Sequence, residues 1–114
     1  MKLDKGLIAG SSTLLVLSLL EKEDMYGYQM ITELSRRSND TFQMKEGTLY
    51  PILHGLEKEG AVKSYTKEAD TGRTRKYYRI TRKGLKALEE QKKEWVEFSE
   101  KVNAILAGCA PAPA

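Results

Sequence analysis

The chain has 114 residues, with 19 Lys and Arg against 16 Asp and Glu, for a net charge of +3. That length bounds it to one domain, with a core that a second subunit would usefully extend. One Cys (Cys109), one His (His54) and no glycine-rich phosphate loop exclude a disulfide framework, a zinc set and a nucleophile–base pair, so neither an enzyme nor a cofactor is expected.

A first helix is expected from Asp4, its N-cap, to about Glu21. Positions 14–20 are apolar almost all round, broken only by Ser18, which implies burial on more than one face. A domain this small rarely covers a whole helix alone, so a second subunit is the expected cover. Residues 7–13 are smaller, suited to close packing or to lining a cavity. The apolar run is too short to cross a bilayer. Asp4, the Ser11-Ser12-Thr13 interruption and the charged stretch 21–24 also argue against a secretion signal, so a cytoplasmic protein away from the membrane is expected.

Asp24 is the candidate cap of a second helix, from Tyr26 or Gly27 to about Arg37. Met30, Ile31 and Leu34 form its inner stripe, and Arg36 and Arg37 sit near the C-terminus, where cations are favoured. Residues 40–44 turn the chain into a third helix at 45–60. At about 100° per residue, Leu49, Ile52, Leu53 and Leu56 fall on one side, and Gly47, Tyr50, Pro51, His54 and Lys58 on the other. The first set is a core stripe. The second combines small residues that allow close approach with Tyr, His and Lys donors, which suits a helix lying in a DNA groove. Pro51 requires the helix to start near Gly47 or to bend there, and Gly60 ends it.

Residues 61–68 and 75–80 are rich in β-branched and aromatic side chains, and Asp70, Thr71 and Gly72 between them carry turn chemistry, so a hairpin is predicted. Between Ala61 and Gly84, eight cations oppose only Glu68 and Asp70, leaving about six net positive charges in this segment. The rest of the chain is mildly acidic. Two helices joined by a short turn and followed by a basic hairpin are the order of a winged helix-turn-helix. Tyr77 and Tyr78 point to opposite faces of their strand, so one of the two belongs to the core.

Thr81 is a candidate N-cap for a last helix reaching about Ala107, with Leu85, Leu88, Trp95, Phe98, Val102, Ile105 and Leu106 as its apolar stripe. Positions 88, 95 and 102 repeat every seven residues, as in a helix packed along another. About 26 residues give roughly 40 Å, longer than a small winged domain needs, so the helix should project and find a partner. Gly108 stops it, and residues 108–114 read as a disordered tail. The fold class is therefore mainly α with a small β-hairpin: a winged helix-turn-helix with its N-terminal helix at 1–81 and a dimerisation helix at 82–107.

Four blocks carry a resemblance: Tyr26-Gly27-Tyr28, Gly47-Thr48-Leu49-Tyr50-Pro51-Ile52-Leu53, Leu56-Glu57-Lys58-Glu59-Gly60, and Arg73-Thr74-Arg75-Lys76-Tyr77-Tyr78-Arg79-Ile80-Thr81. Over about residues 14–106 the chain resembles the PadR family of bacterial transcriptional regulators. The single short helix after the wing resembles the compact branch of that family, which includes multidrug-sensing repressors. The resemblance implies a homodimeric repressor that binds an inverted-repeat operator in double-stranded DNA and releases it when an effector binds. The other class compatible with the residues is a protein-interaction module, which would bind duplex DNA weakly and with little dependence on salt.

Within the DNA-binding reading, Lys45 is placed to meet phosphate beside the exposed amides of the third helix. Thr48, Tyr50, His54 and Lys58 lie along the groove face, with Thr48 and Tyr50 able to bond phosphate rather than bases. Arg73, beside Gly72 at the wing tip, is the candidate for a minor groove, while Arg75 and Lys76 suit phosphates. On the residues alone Trp95 is first a dimer-packing residue. The resemblance instead implies aromatics on this helix that sandwich a planar aromatic effector between subunits, with Trp95 in that place and Phe98, Ala9 and Ser12 completing the lining. Lys92 and Ser99 add polar character to the same side, and the choice between a cavity and a closed seam stays open.

Overall fold

The computed structural model describes residues 5–108, with side chains from residue 11 onward. The expected cap at Asp4, the side chain of Ala9 and the tail beyond Gly108 lie outside the described residues. The elements are α1 (Lys5–Lys22), β1 (Met25–Tyr26), α2 (Gly27–Arg37), α3 (Glu46–Lys58), β2 (Val62–Glu68), β3 (Thr74–Ile80) and α4 (Arg82–Leu106). The sheet is antiparallel with order β1-β3-β2.

The hairpin thus gains a third strand that the sequence did not announce. Met25 pairs with Tyr78 and Tyr26 with Tyr77. Two residues are too few for an alternating pattern, so nothing local marks them as a strand. This strand also changes the role of Asp24. It does not cap α2, whose N-cap is Tyr26 without a side-chain bond. Its carboxylate instead accepts from the Tyr65 hydroxyl at 2.7 Å and from Arg79 Nε at 3.3 Å.

The core gathers around α1. Val16, Leu17, Leu19 and Leu20 are buried against Met25, Met30, Leu34, Met44, Leu49, Leu53, Leu56, Val62, Tyr78 and Leu88. As the periodicity of α3 required, Leu49, Leu53 and Leu56 face inward and Ile52 packs at the margin of this cluster. Tyr78 is the inward tyrosine of the pair in β3, and Tyr77 faces outward.

Between α2 and α3 the chain turns through two left-handed residues, Asn39 (φ 53°) and Asp40 (φ 63°), types that tolerate this region. Ser38 Oγ holds the turn by donating to the Leu34 carbonyl (2.7 Å) while accepting from the Phe42 amide (2.9 Å). Helix α3 begins at Glu46 and continues through Pro51 without interruption. It ends in a Schellman closure: Gly60 takes φ 80°, its amide bonds the Glu57 carbonyl, and the Ala61 amide bonds the Leu56 carbonyl.

Helix α4 starts as expected, with Thr81 Oγ1 accepting from the Gly84 amide at 3.1 Å. The same hydroxyl lies 2.6 Å from the Gly60 carbonyl, to which it donates. The end of α3 and the start of α4 are therefore tied together. A Cβ at Gly84 would come within 2.7 Å of Ile80 Cγ1 and 3.0 Å of the Ala61 carbonyl carbon, so only glycine allows this approach. Beyond Leu88 the helix leaves the core, and the molecule extends 62 × 31 × 21 Å.

Candidate nucleic-acid interface and effector face

The outer side of α3 is bare. Glu46, Gly47, Thr48, Tyr50, Pro51, His54, Gly55 and Lys58 are all exposed, with Lys45 exposed at the N-cap. A Cβ placed on Gly47 or Gly55 would meet nothing within 4 Å, so a partner surface can approach the helix backbone along this side. Tyr50 is the least free member, at 36% exposure, because its ring stands against Gly27 at the start of α2. The Tyr26-Gly27-Tyr28 block thus has a local reason: the glycine makes room for a tyrosine of the next helix.

The wing extends from this face, its two strands paired from Val62↔Ile80 to Glu68↔Thr74. Gly72, at φ 83°, allows the tip turn, and exposed Arg73 follows it. Lys76 is exposed on the same side of the sheet as Tyr78, its Nζ 5.5 Å from that ring. Burial raises the Tyr78 hydroxyl above its ordinary pKa, so it stays neutral. Arg75 is half-buried on the opposite side, with its guanidinium 4.4 Å above the Tyr26 ring. The two predicted phosphate cations of β3 therefore lie on different faces of the sheet.

On α2, the carboxylate of Glu33 is bonded by Arg36 (2.7 and 2.9 Å) and Arg37 (3.2 Å). These bonds hold its pKa down at about 2.

The second face belongs to α4. Trp95 is 48% exposed and Phe98 59%, their ring centroids 6.1 Å apart, and Ile105 and Leu106 further along are more exposed still. Trp95 and Phe98 line an open cleft of about 620 Å³ with Thr13, Leu14, Glu59, Gln91 and Glu94. Ser12 is buried and lies outside that lining, where Thr13 and Leu14 take its place. Lys92 is engaged elsewhere, 3.2 Å from Glu21 on α1, and Ser99 Oγ donates back to the Trp95 carbonyl. Glu59 stands in the sequence only as part of the Leu56–Gly60 block and is not marked as a site residue, because it reads as a charged helix end. Its neighbour Gly60 is the residue tied to Thr81.

Residues 16–90, from the buried half of α1 to the first half of α4, match the model of the Transcriptional regulator PadR-like family. The chain belongs to that family. This PadR-like chain is 39% identical over 102 residues to an uncharacterized protein of Lysinibacillus sphaericus, covering 90% of this chain and 94% of the other. It is 37% identical over 79 residues to the transcriptional regulator Rv3488 of Mycobacterium tuberculosis, covering 69% and 70%. Among solved structures, a transcriptional regulator from Clostridium thermocellum superposes with a TM-score of 0.81 at 34% identity, covering 87% of this chain and 96% of that one. A PadR-like regulator from Bacillus cereus gives 0.78 at 34% identity, covering 90% and 97%. Membership makes this chain a transcriptional regulator, which implies DNA binding. Among the described residues no helix is long and apolar enough to cross a membrane.

Proposed function

We propose that this PadR-like chain is a cytoplasmic homodimeric repressor that holds an inverted-repeat operator and releases it when a planar aromatic effector binds. The observation that carries the DNA reading is the bare outer side of α3 beside a wing with about six net positive charges. In this reading Thr48, Tyr50, His54 and Lys58 enter the major groove, Lys45 takes a phosphate, and Arg73 reaches the adjacent minor groove. Arg75 and Lys76 hold phosphates to either side of the wing.

Dimerisation follows from the exposed apolar residues of α4, which cover one another in a two-fold pair. Symmetry then sets the half-sites about one helical turn apart, roughly 34–36 Å. The effector site is the cleft at Trp95 and Phe98, where a flat aromatic gains stacking and apolar burial. An effector acts only if it binds the free and DNA-bound dimers differently. The tie between Thr81 and Gly60 offers the route, since moving α4 displaces the end of α3.

The test is selection of a duplex from a random-sequence pool with the full-length protein, followed by titration with flat aromatic compounds. Recovery of an inverted repeat, released as Trp95 fluorescence is quenched, supports the reading. Duplex binding with no sequence preference overturns it.

A further inference from the structure

The outer face of the sheet, turned away from α3, carries an arrangement that folding alone does not account for. On that face Lys63 lies directly opposite Arg79, Tyr65 opposite Tyr77, and Lys67 opposite Arg75. Two like-charged cross-strand pairs thus flank a tyrosine pair. Like charges directly opposite one another destabilise a sheet. Asp24 offsets one of the four cations, through its 3.3 Å contact with Arg79. No carboxylate is paired with the other three among the described residues.

The tyrosines act as a scaffold for the cations. Tyr65 and Tyr77 stack with centroids 5.7 Å apart and planes 16° apart, and Tyr26 meets Tyr77 edge-on at 5.4 Å. Arg75 sits 4.4 Å above Tyr26, Arg79 5.4 Å from Tyr65, and Lys67 Nζ 5.7 Å from Tyr77. Ring faces covered by cations and by each other are not open for base stacking, which argues against a single-stranded nucleic acid. The charged heads remain available for hydrogen bonds to an anion. A cation at each corner of a two-stranded ribbon matches a linear polyanion better than a single bound ion.

We infer that the outer sheet face, through Lys63, Lys67, Arg75 and Arg79, binds the phosphate backbone of duplex DNA flanking the operator half-site. The inference rests on the proposed operator binding, in which the wing tip lies at the edge of each half-site. With the inner side of the sheet turned toward α3, the outer side faces the DNA beyond it. Arg75 is shared with the operator contacts and Arg79 is paired with Asp24, so each subunit adds two further unpaired cations, Lys63 and Lys67, at its flank.

The experiment compares three duplexes with the full-length dimer: the selected operator trimmed to its two half-sites, the same operator with ten base pairs added at each end, and that longer duplex with neutral methylphosphonate linkages in the added segments. The wild-type protein should bind the charged long duplex about tenfold more tightly than the short one, with a steeper salt dependence. The neutral flanks should lose that gain. Lys63→Gln/Lys67→Gln should bind the short operator as wild type does, lose the gain from length, and melt at an equal or higher temperature. Equal wild-type affinity for all three duplexes overturns the inference and leaves operator binding intact. Equal weakening of the variant on short and long duplexes also overturns it, because these lysines would then serve the operator itself. Loss of binding to an acidic protein, with DNA binding of every length unchanged, would assign the face to a protein partner instead. Failure of wild type to bind the short operator would refute the proposed function rather than this inference.

Discussion

The ring of Tyr50 stands directly against Gly27: a Cβ on residue 27 would come 2.9 Å from Tyr50 Cζ and 3.2 Å from Cε1. The position of an exposed side chain on the outer side of α3 is thus set by a missing side chain on α2. The obstructing atoms belong to the far end of a flexible side chain, so Gly27→Ala should displace the tyrosine rather than unfold the domain. Melting should show a stability change within about 1 kcal/mol, since alanine also favours helix over glycine by about that amount. Operator affinity should fall as far as in Tyr50→Ala, and the double variant should fall no further. Additive losses in that cycle would mean that the two residues act separately.

At Trp95 the prediction concerns switching. Trp95→Ala should leave a dimer that binds the operator with wild-type affinity but no longer releases it to flat aromatic compounds. The side chain is half exposed in the single chain, so the core should not collapse without it. Normal induction in this variant, or a dimer structure with Trp95 packed in a solid seam, would make it a packing residue and move the effector elsewhere.

Assembly is tested by truncation. Removing residues 95–114 deletes Phe98, Val102, Ile105 and Leu106 together with Trp95, but spares Leu88 in the core. Sedimentation at micromolar concentration should show a dimer for the full chain and none for the shortened one. A truncated protein that stays dimeric would place the interface on α1 and the retained start of α4.

The Asp24–Tyr65 bond ties the loop before β1 to the wing, and its loss should be measurable. Tyr65→Phe should cost on the order of 0.5–1 kcal/mol, below the roughly 1.5–3 kcal/mol typical of a hydrogen bond to a charged group, because the site meets solvent. The bond to Asp24 raises the pKa of the Tyr65 hydroxyl above its usual 10. A raised folded pKa means that this stabilisation is complete below pH 10 and fades as the pH climbs through the folded value. Denaturant curves of wild type and Tyr65→Phe should therefore differ at pH 8 and converge in more alkaline solution. A gap that persists there would show that ring packing, not the hydroxyl, carries the effect.

Much of this architecture was legible because sequence signals and packing agreed. The stripe of Leu49, Leu53 and Leu56, the glycine stop at Gly60 and the cap at Thr81 each follow from local chemistry, and each is found in place. What escaped was non-local. Strand β1 exists only because Tyr77 and Tyr78 lie beside it, and Asp24 was assigned to the nearest helix when its partners are 41 and 55 residues away. The alternation of β3 showed that one of two tyrosines is buried, but Ser64 and Met25 had to be placed opposite Tyr78 before the choice was settled. Arg75 reads as a surface cation in sequence, and its stacking on Tyr26 depends on that same unforeseen strand.

The central claim, that the bare side of α3 and its basic wing clasp duplex DNA, is tested most directly by the salt dependence of binding to the selected operator. Each phosphate neutralised should contribute about 0.9 to the slope of log affinity against log salt. Affinity should fall steeply between roughly 50 and 200 mM salt, with the slope reduced by about one phosphate's worth per subunit in Arg73→Ala. Weak duplex binding that barely changes with salt, in both proteins, would contradict it and favour a winged helix that docks onto another protein.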